Sequence, residues 1–85
     1  MGLIAYQYDT GQQVFVLQDC GTDGTIRIRS GTVLRVRAES IASGVEIFYD
    51  VHLVDGGTGT FEFVEDDVFA DKTSALAEYE VRIGL

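Results

Sequence analysis

Residues 25–40 read TIRIRSGTVLRVRAES, and the way this stretch folds decides the way the rest of the chain folds. Apolar and charged residues alternate along it: Ile26, Ile28, Leu34 and Val36 share one parity, and Arg27, Arg29, Arg35 and Arg37 share the other. A period of two marks a strand with one buried face and one wet face. All four arginines are therefore expected to look outward from a single face. Ser30-Gly31, in the middle, is the expected place for so long a strand to bend, because glycine admits a bulge or a sharp coil.

The next segment repeats the pattern. Val45, Ile47, Tyr49, Val51 and Leu53 alternate with Glu46, Phe48, Asp50 and His52, and the turn Ile41-Ala42-Ser43-Gly44 joins the two segments into a hairpin. A slip of one residue would bury the charges. The allowed registers place Arg35 opposite Asp50 and Arg37 opposite Phe48, or, two residues along, Arg37 opposite Glu46. Either sets arginine beside carboxylate on the wet face, where such cross-strand pairs contribute about 0.2–1 kcal/mol each. This gives the arginines a structural role that competes with any binding role.

Upstream, Met1 to Ala5 reads as a loose start, Tyr6-Gln7-Tyr8 as a short extended lead and Asp9-Thr10-Gly11 as a turn. Val14-Phe15-Val16-Leu17 is a strand apolar on both faces, joined to the arginine strand by the loop Cys20-Gly21-Thr22-Asp23-Gly24. Downstream, Asp55 to Gly59 is a glycine-rich loop and Thr60 to Val64 a fourth strand, with Phe61 and Phe63 turned inward. Glu65-Asp66-Asp67 forms an acidic link and Val68-Phe69 an apolar plug. Asp71 suits the N-cap of a helix over 72–83 that Gly84 closes. Leu76, Tyr79 and Ile83, with Ala75 beside them, make its docking stripe, and Glu78, Glu80 and Arg82 point away.

Four or five short antiparallel strands, glycine turns and one C-terminal helix indicate a mainly β fold, a small SH3-like barrel forming a single domain over 1–85. Closing the sheet removes the edges that an open layer would expose. The sequence also resembles a group of small bacterial and phage proteins with an SH3-like or Tudor-like barrel. The residues that carry the likeness are Tyr8, Gly11 and Val14 to Leu17, then Ser30 to Val33, then Tyr49, Val51 and Leu53. Phe61, Phe63, Glu65, Asp66, Val68, Phe69, Lys72 and Ala75 complete it, so that it spans about residues 8–80. At the helix start this chain reads Asp71-Lys72-Thr73-Ser74-Ala75, where the group often has Thr-Lys-Glu-Glu-Ala. The resemblance implies a fold and a mobile-element setting, with no chemistry assigned to particular residues.

The function classes narrow mostly by exclusion. With 85 residues and 46% hydrophobic content, the chain has room for one modest core. It has no apolar run near the ~20 residues that span a bilayer and no signal-peptide pattern, so a cytoplasmic location is expected. Cys20 is the only cysteine and His52 the only histidine, too few for a structural zinc site or a catalytic triad. Glu65-Asp66-Asp67 lacks the spacing of a calcium loop, and no phosphate-cradling glycine motif is present. No enzyme activity, metal or cofactor is therefore expected.

The net charge of −8 falls on residues 43–85, where ten acids face Lys72 and Arg82. A charge of this size repels nucleic acid at long range. Three readings follow. The first is a protein-interaction module, self-associating or with another protein, because Phe48 and Val54 fall on the outer parity and the first strand is apolar both ways. The second is nucleic-acid binding through an arginine face; the candidate interaction face comprises Arg27, Arg29, Arg35, Arg37, Phe48 and His52. The third is an acidic mimic of a phosphate backbone that inhibits a DNA-binding protein.

Overall fold

The alternation in residues 25–40 does produce one long strand, but that strand serves two apolar layers on opposite sides of the sheet. In the computed structural model, which describes residues 7–19, 25–54 and 58–84, five antiparallel strands form one sheet and a helix follows. The strands are β1 (Gln13–Asp19), β2 (Ile26–Ile41), β3 (Gly44–Leu53), β4 (Gly59–Val64) and β5 (Val68–Phe69), in the spatial order β4-β3-β2-β1-β5. A 3-10 turn, Glu65–Asp67, separates β4 from β5, and α1 spans Lys72–Ile83. The readings made for Met1 to Tyr6, Cys20 to Gly24 and Asp55 to Gly57 lie outside the described residues.

The register of β2 against β3 changes at one point. From Arg35 to Ile41 the pairing has Arg35 opposite Asp50, Val36 opposite Tyr49 and Arg37 opposite Phe48, the first of the two expected registers. From Val33 back to Gly31 it has Val33 opposite Val51 and Gly31 opposite Leu53. Leu34 is the extra residue of a β-bulge between these two runs, and it is 50% exposed whereas Val33 is 0% exposed. A bulge puts two residues against one and so exchanges the faces of everything beyond it. The expected bend is thus displaced from Ser30-Gly31 to Leu34. Gly31 serves another purpose: a Cβ there would overlap the carbonyl oxygen of His52 and lie 2.8 Å from Val51 Cγ1.

The inner face carries the core cluster, which includes Val14, Val16, Val33, Tyr49, Val51 and Leu53, with Phe63, Val68 and Tyr8 closing its margin. Those first six residues are 0% exposed although, among the described residues, no second sheet covers them. The sheet must therefore curl over its own inner face. It nevertheless does not close as a barrel: no ladder joins β4 to β5 among the described residues, and the expected barrel is an open sheet whose gap is crossed by the 3-10 turn.

Side chains finish what the ladder leaves open. The Tyr49 hydroxyl accepts the backbone N–H of Gln7 at 3.0 Å and of Tyr8 at 3.3 Å, and it donates to Glu65 Oε2 at 2.5 Å. The Tyr8 hydroxyl donates to the Val68 carbonyl at 3.0 Å, and its ring meets the Tyr49 ring edge-on with centroids 5.4 Å apart. Residues 7 and 8 thus tie β3 to the 3-10 turn and β5.

On the outer face, Leu17 is opposite Ile28, and Phe15 is opposite both Ser30 and Phe69. Leu17 and Ala75 are buried yet belong to no part of the inner cluster, and α1 contacts β1, β2 and β5. The helix therefore covers the outer side of β1. Its caps are as expected: Asp71 accepts the Ser74 N–H at 2.7 Å, and Gly84 closes the helix with φ 82°. Its orientation is not. Leu76 and Ile83 remain exposed while Ala75 is buried, and Arg82, expected to point away, reaches Asp67 at 2.7 Å and the Asp66 carbonyl at 3.2 Å. A small residue lets the helix approach β1 closely, and the ion pair fixes its rotation. No helix among the described residues is long and apolar enough to cross a membrane.

Candidate interaction surfaces of the hairpin

The bulge at Leu34 divides the arginines. Arg35 and Arg37 lie on the outer face with Asp50 and Phe48. Arg27 and Arg29, which precede the bulge, stand opposite Gln18 and Val16 on the inner side, where Arg29 donates to Gln18 Oε1 at 2.7 Å. The single arginine face expected from the sequence does not form, because one inserted residue reverses the parity between the two pairs.

The two outer arginines are already engaged. Arg35 Nε meets Asp50 Oδ2 at 2.8 Å, Arg37 Nη2 meets Asp50 Oδ1 at 3.2 Å, and Arg37 also bonds Glu62 and stands 3.5 Å from Glu39. The Arg37 guanidinium lies over the Phe48 ring, 5.6 Å from its centroid. The Glu62 hydrogen bond above all, assisted by Asp50, raises the Arg37 pKa further above its ordinary value. On this face Glu39, Glu46, Asp50 and Glu62 outnumber the two guanidiniums, so the patch is net acidic. A phosphate chain approaching it would have to displace carboxylates already in place.

His52 stands on the same face between Thr32 and Thr60, with Nδ1 3.2 Å from Thr60 Oγ1. Among the described residues, the Thr60 hydroxyl is the side-chain group within hydrogen-bonding distance of the His52 ring. Of the six residues singled out in the sequence, the structure brings together Arg35, Arg37, Phe48 and His52 on one face and separates Arg27 and Arg29 from them.

The surface that sequence reasoning missed lies at the far end of the hairpin. β4 follows β3 only as far as the pair Val64–Phe48, then turns away into Glu65–Asp67. The stretch Gly44–Ile47 of β3 is left without a strand on that side among the described residues. The departure opens a shallow depression of about 240 Å³. Its apolar lining is Ile41, Val45, Ile47 and Val64, and its acidic rim is Glu46, Glu65 and Asp66. Ile41 and Val45 are exposed, which is unusual for two branched aliphatics flanking one turn. The signal was present in the sequence as Ile41 and Val45 on either side of Ala42-Ser43. Comparison of the chain with protein-family models, with curated proteins and with solved structures gave no match.

Proposed function

We propose that this chain is a non-enzymatic protein-contact module whose hairpin depression takes an extended, basic and apolar segment of a partner protein. The observation that carries this reading is the unpaired β3 edge at Gly44–Ile47, set beside exposed Ile41 and Val45 and rimmed by Glu46, Glu65 and Asp66. A free strand edge supplies main-chain hydrogen bonds to an added strand, apolar pockets choose alternate side chains, and an acidic rim favours lysine or arginine between them. Electrostatic attraction to an acidic rim speeds encounter and selects the partner more than it adds affinity.

The reading is tested by calorimetric titration with a synthetic hexapeptide alternating lysine and leucine, and with one of the same charge alternating lysine and serine. The leucine peptide should bind, the serine peptide should bind at least tenfold more weakly, and Val45→Glu should weaken the leucine peptide at least tenfold while Glu39→Gln leaves it unchanged. Val45 is 54% exposed, so its replacement leaves the core intact. Equal binding of both peptides, or no effect of Val45→Glu, would overturn the reading. The arginine face supplies no comparable observation for nucleic acid, since its guanidiniums are divided between two faces and those of Arg35 and Arg37 are paired with carboxylates.

A further inference from the structure

The other edge of the hairpin is also open. β1 ends at Gln13, opposite Thr32, and the last backbone bonds on that side are Gly11 N–H to the Val33 carbonyl at 2.7 Å and Val33 N–H to the Gln12 carbonyl at 3.0 Å. From Leu34 to Ile41, β2 has no backbone partner on its far side among the described residues. The two-residue turn Ala42–Ser43 determines which groups are free. Ile41 and Gly44 flank it as a hydrogen-bonded pair, so Arg35, Arg37, Glu39 and Ile41 direct their N–H and C=O groups to β3. Val36, Ala38 and Ser40 direct theirs away from the sheet.

We propose that this edge pairs with the same edge of a second copy, antiparallel, about a two-fold axis through Ala38. Symmetry and hydrogen bonding leave few alternatives. An isologous antiparallel pair sets one residue opposite its own copy, and the free groups of Val36, Ala38 and Ser40 must oppose one another. Centring on Arg37 or on Glu39 places like charges face to face, and centring on Val36 sets Arg35 against Arg37 twice and runs into the Leu34 bulge. Centring on Ala38 places Arg37 opposite Glu39 of the second copy, and Glu39 opposite its Arg37. Opposite charges across strands attract, whereas like charges repel. Charged edges ordinarily keep strands from joining; here the signs alternate so that the edge complements itself.

Two details favour this centre. Glu39 is half-exposed, and its 3.5 Å contact is the longest of the ion pairs made by Arg37, which leaves its carboxylate available. Ala38 is small, so the strands meet without a clash at the axis. The depression lies on the opposite edge of the hairpin, so failure of the edge pairing leaves the peptide reading to its own titration.

The experiment compares the full chain carrying Cys20→Ser with Ala38→Cys or with Ser40→Cys under mild oxidation, alongside sedimentation of the wild type. In the proposed register the two copies of position 38 are adjacent, whereas the two copies of position 40 lie about 14 Å apart along the strands. Ala38→Cys should cross-link at least tenfold faster than Ser40→Cys, and the wild type should sediment as a dimer that Glu39→Arg weakens at least tenfold. Circular dichroism confirms that each variant is folded. A wild type that stays monomeric at about 1 mM, or equal cross-linking at the two positions, would overturn the proposal.

Discussion

The Tyr49 hydroxyl donates to the Glu65 carboxylate at 2.5 Å, joining the middle of β3 to the 3-10 turn at the point where the sheet fails to close. The same oxygen receives the Gln7 and Tyr8 amides, so one side chain joins three segments that no strand pairing connects among the described residues. A phenol suits this position because it combines a buried ring with a polar tip that both donates and accepts.

Tyr49→Phe keeps the ring but leaves the Tyr8 amide without its partner, and it is expected to destabilise the fold by about 1–3 kcal/mol in urea titrations. Burial, followed by the Glu65 hydrogen bond, pushes the Tyr49 pKa from 10.0 up to about 12. Burial, with Glu65 and Asp71 behind it, raises that of Tyr8 as well. Both groups are neutral in the fold, so the stability they contribute is complete below their unfolded value of 10.0 and is lost as pH climbs through the folded value, toward 12 for Tyr49. Wild-type unfolding free energy should fall across that alkaline window, and more steeply than that of Tyr49→Phe.

Gly31→Ala is expected to cost about 1–3 kcal/mol or more, since the added methyl meets the backbone of β3, which cannot move aside as a flexible side chain would. Thermal unfolding followed by circular dichroism measures it. A variant as stable as wild type would show that β2 and β3 are not in close approach at Gly31 and Leu53.

Leu34 and Val33 should respond in opposite ways. Leu34→Lys, at a half-exposed bulge, is expected to change stability by no more than about 0.5 kcal/mol, whereas Val33→Ala, in the core, should cost about 1–3 kcal/mol. Chemical denaturation of the two variants side by side provides the comparison.

Hydrogen bonds from the Ser74 backbone and side chain hold the Asp71 carboxylate below its ordinary pKa of 3.8. Its contribution is therefore complete above pH 3.8 and lost as pH falls through the lower folded value. Asp71→Ala should lower the melting temperature at neutral pH and remove part of the acid dependence of helix content. Asp71→Asn should retain most of the neutral-pH stability, because asparagine also caps.

The first four strands, the hairpin register of Arg35 with Asp50 and both helix caps were legible in the sequence because each follows from local spacing, whereas Val68-Phe69, read as an apolar plug, pairs with β1 as β5. The exchange of faces was not. Leu34 continues the alternation without a break, and the apolar residues on either side of it are half-buried in different layers: Ile28 opposite Leu17 toward the helix, and Val36 opposite Tyr49 toward the inner cluster. An unbroken pattern thus conceals an inserted residue. The helix orientation was misread for a related reason, since hydrophobicity favours Leu76 and Ile83, while close approach favours Ala75 and the Arg82–Asp67 pair sets the rotation. The depression arises where β4 leaves β3, a property of two strand lengths and not of any single stretch.

The division of the arginines, and with it the shift of interest from their face to the hairpin edges, rests on Leu34 as the bulged residue. Methyl nuclear Overhauser contacts from Val33 and Leu34 test this most directly. Cross-peaks joining Val33 to Val51, with none from Leu34 to Tyr49 or Val51, are the expected result. Contacts from the Leu34 methyls into the Tyr49 ring, with Val33 facing solvent, would contradict it.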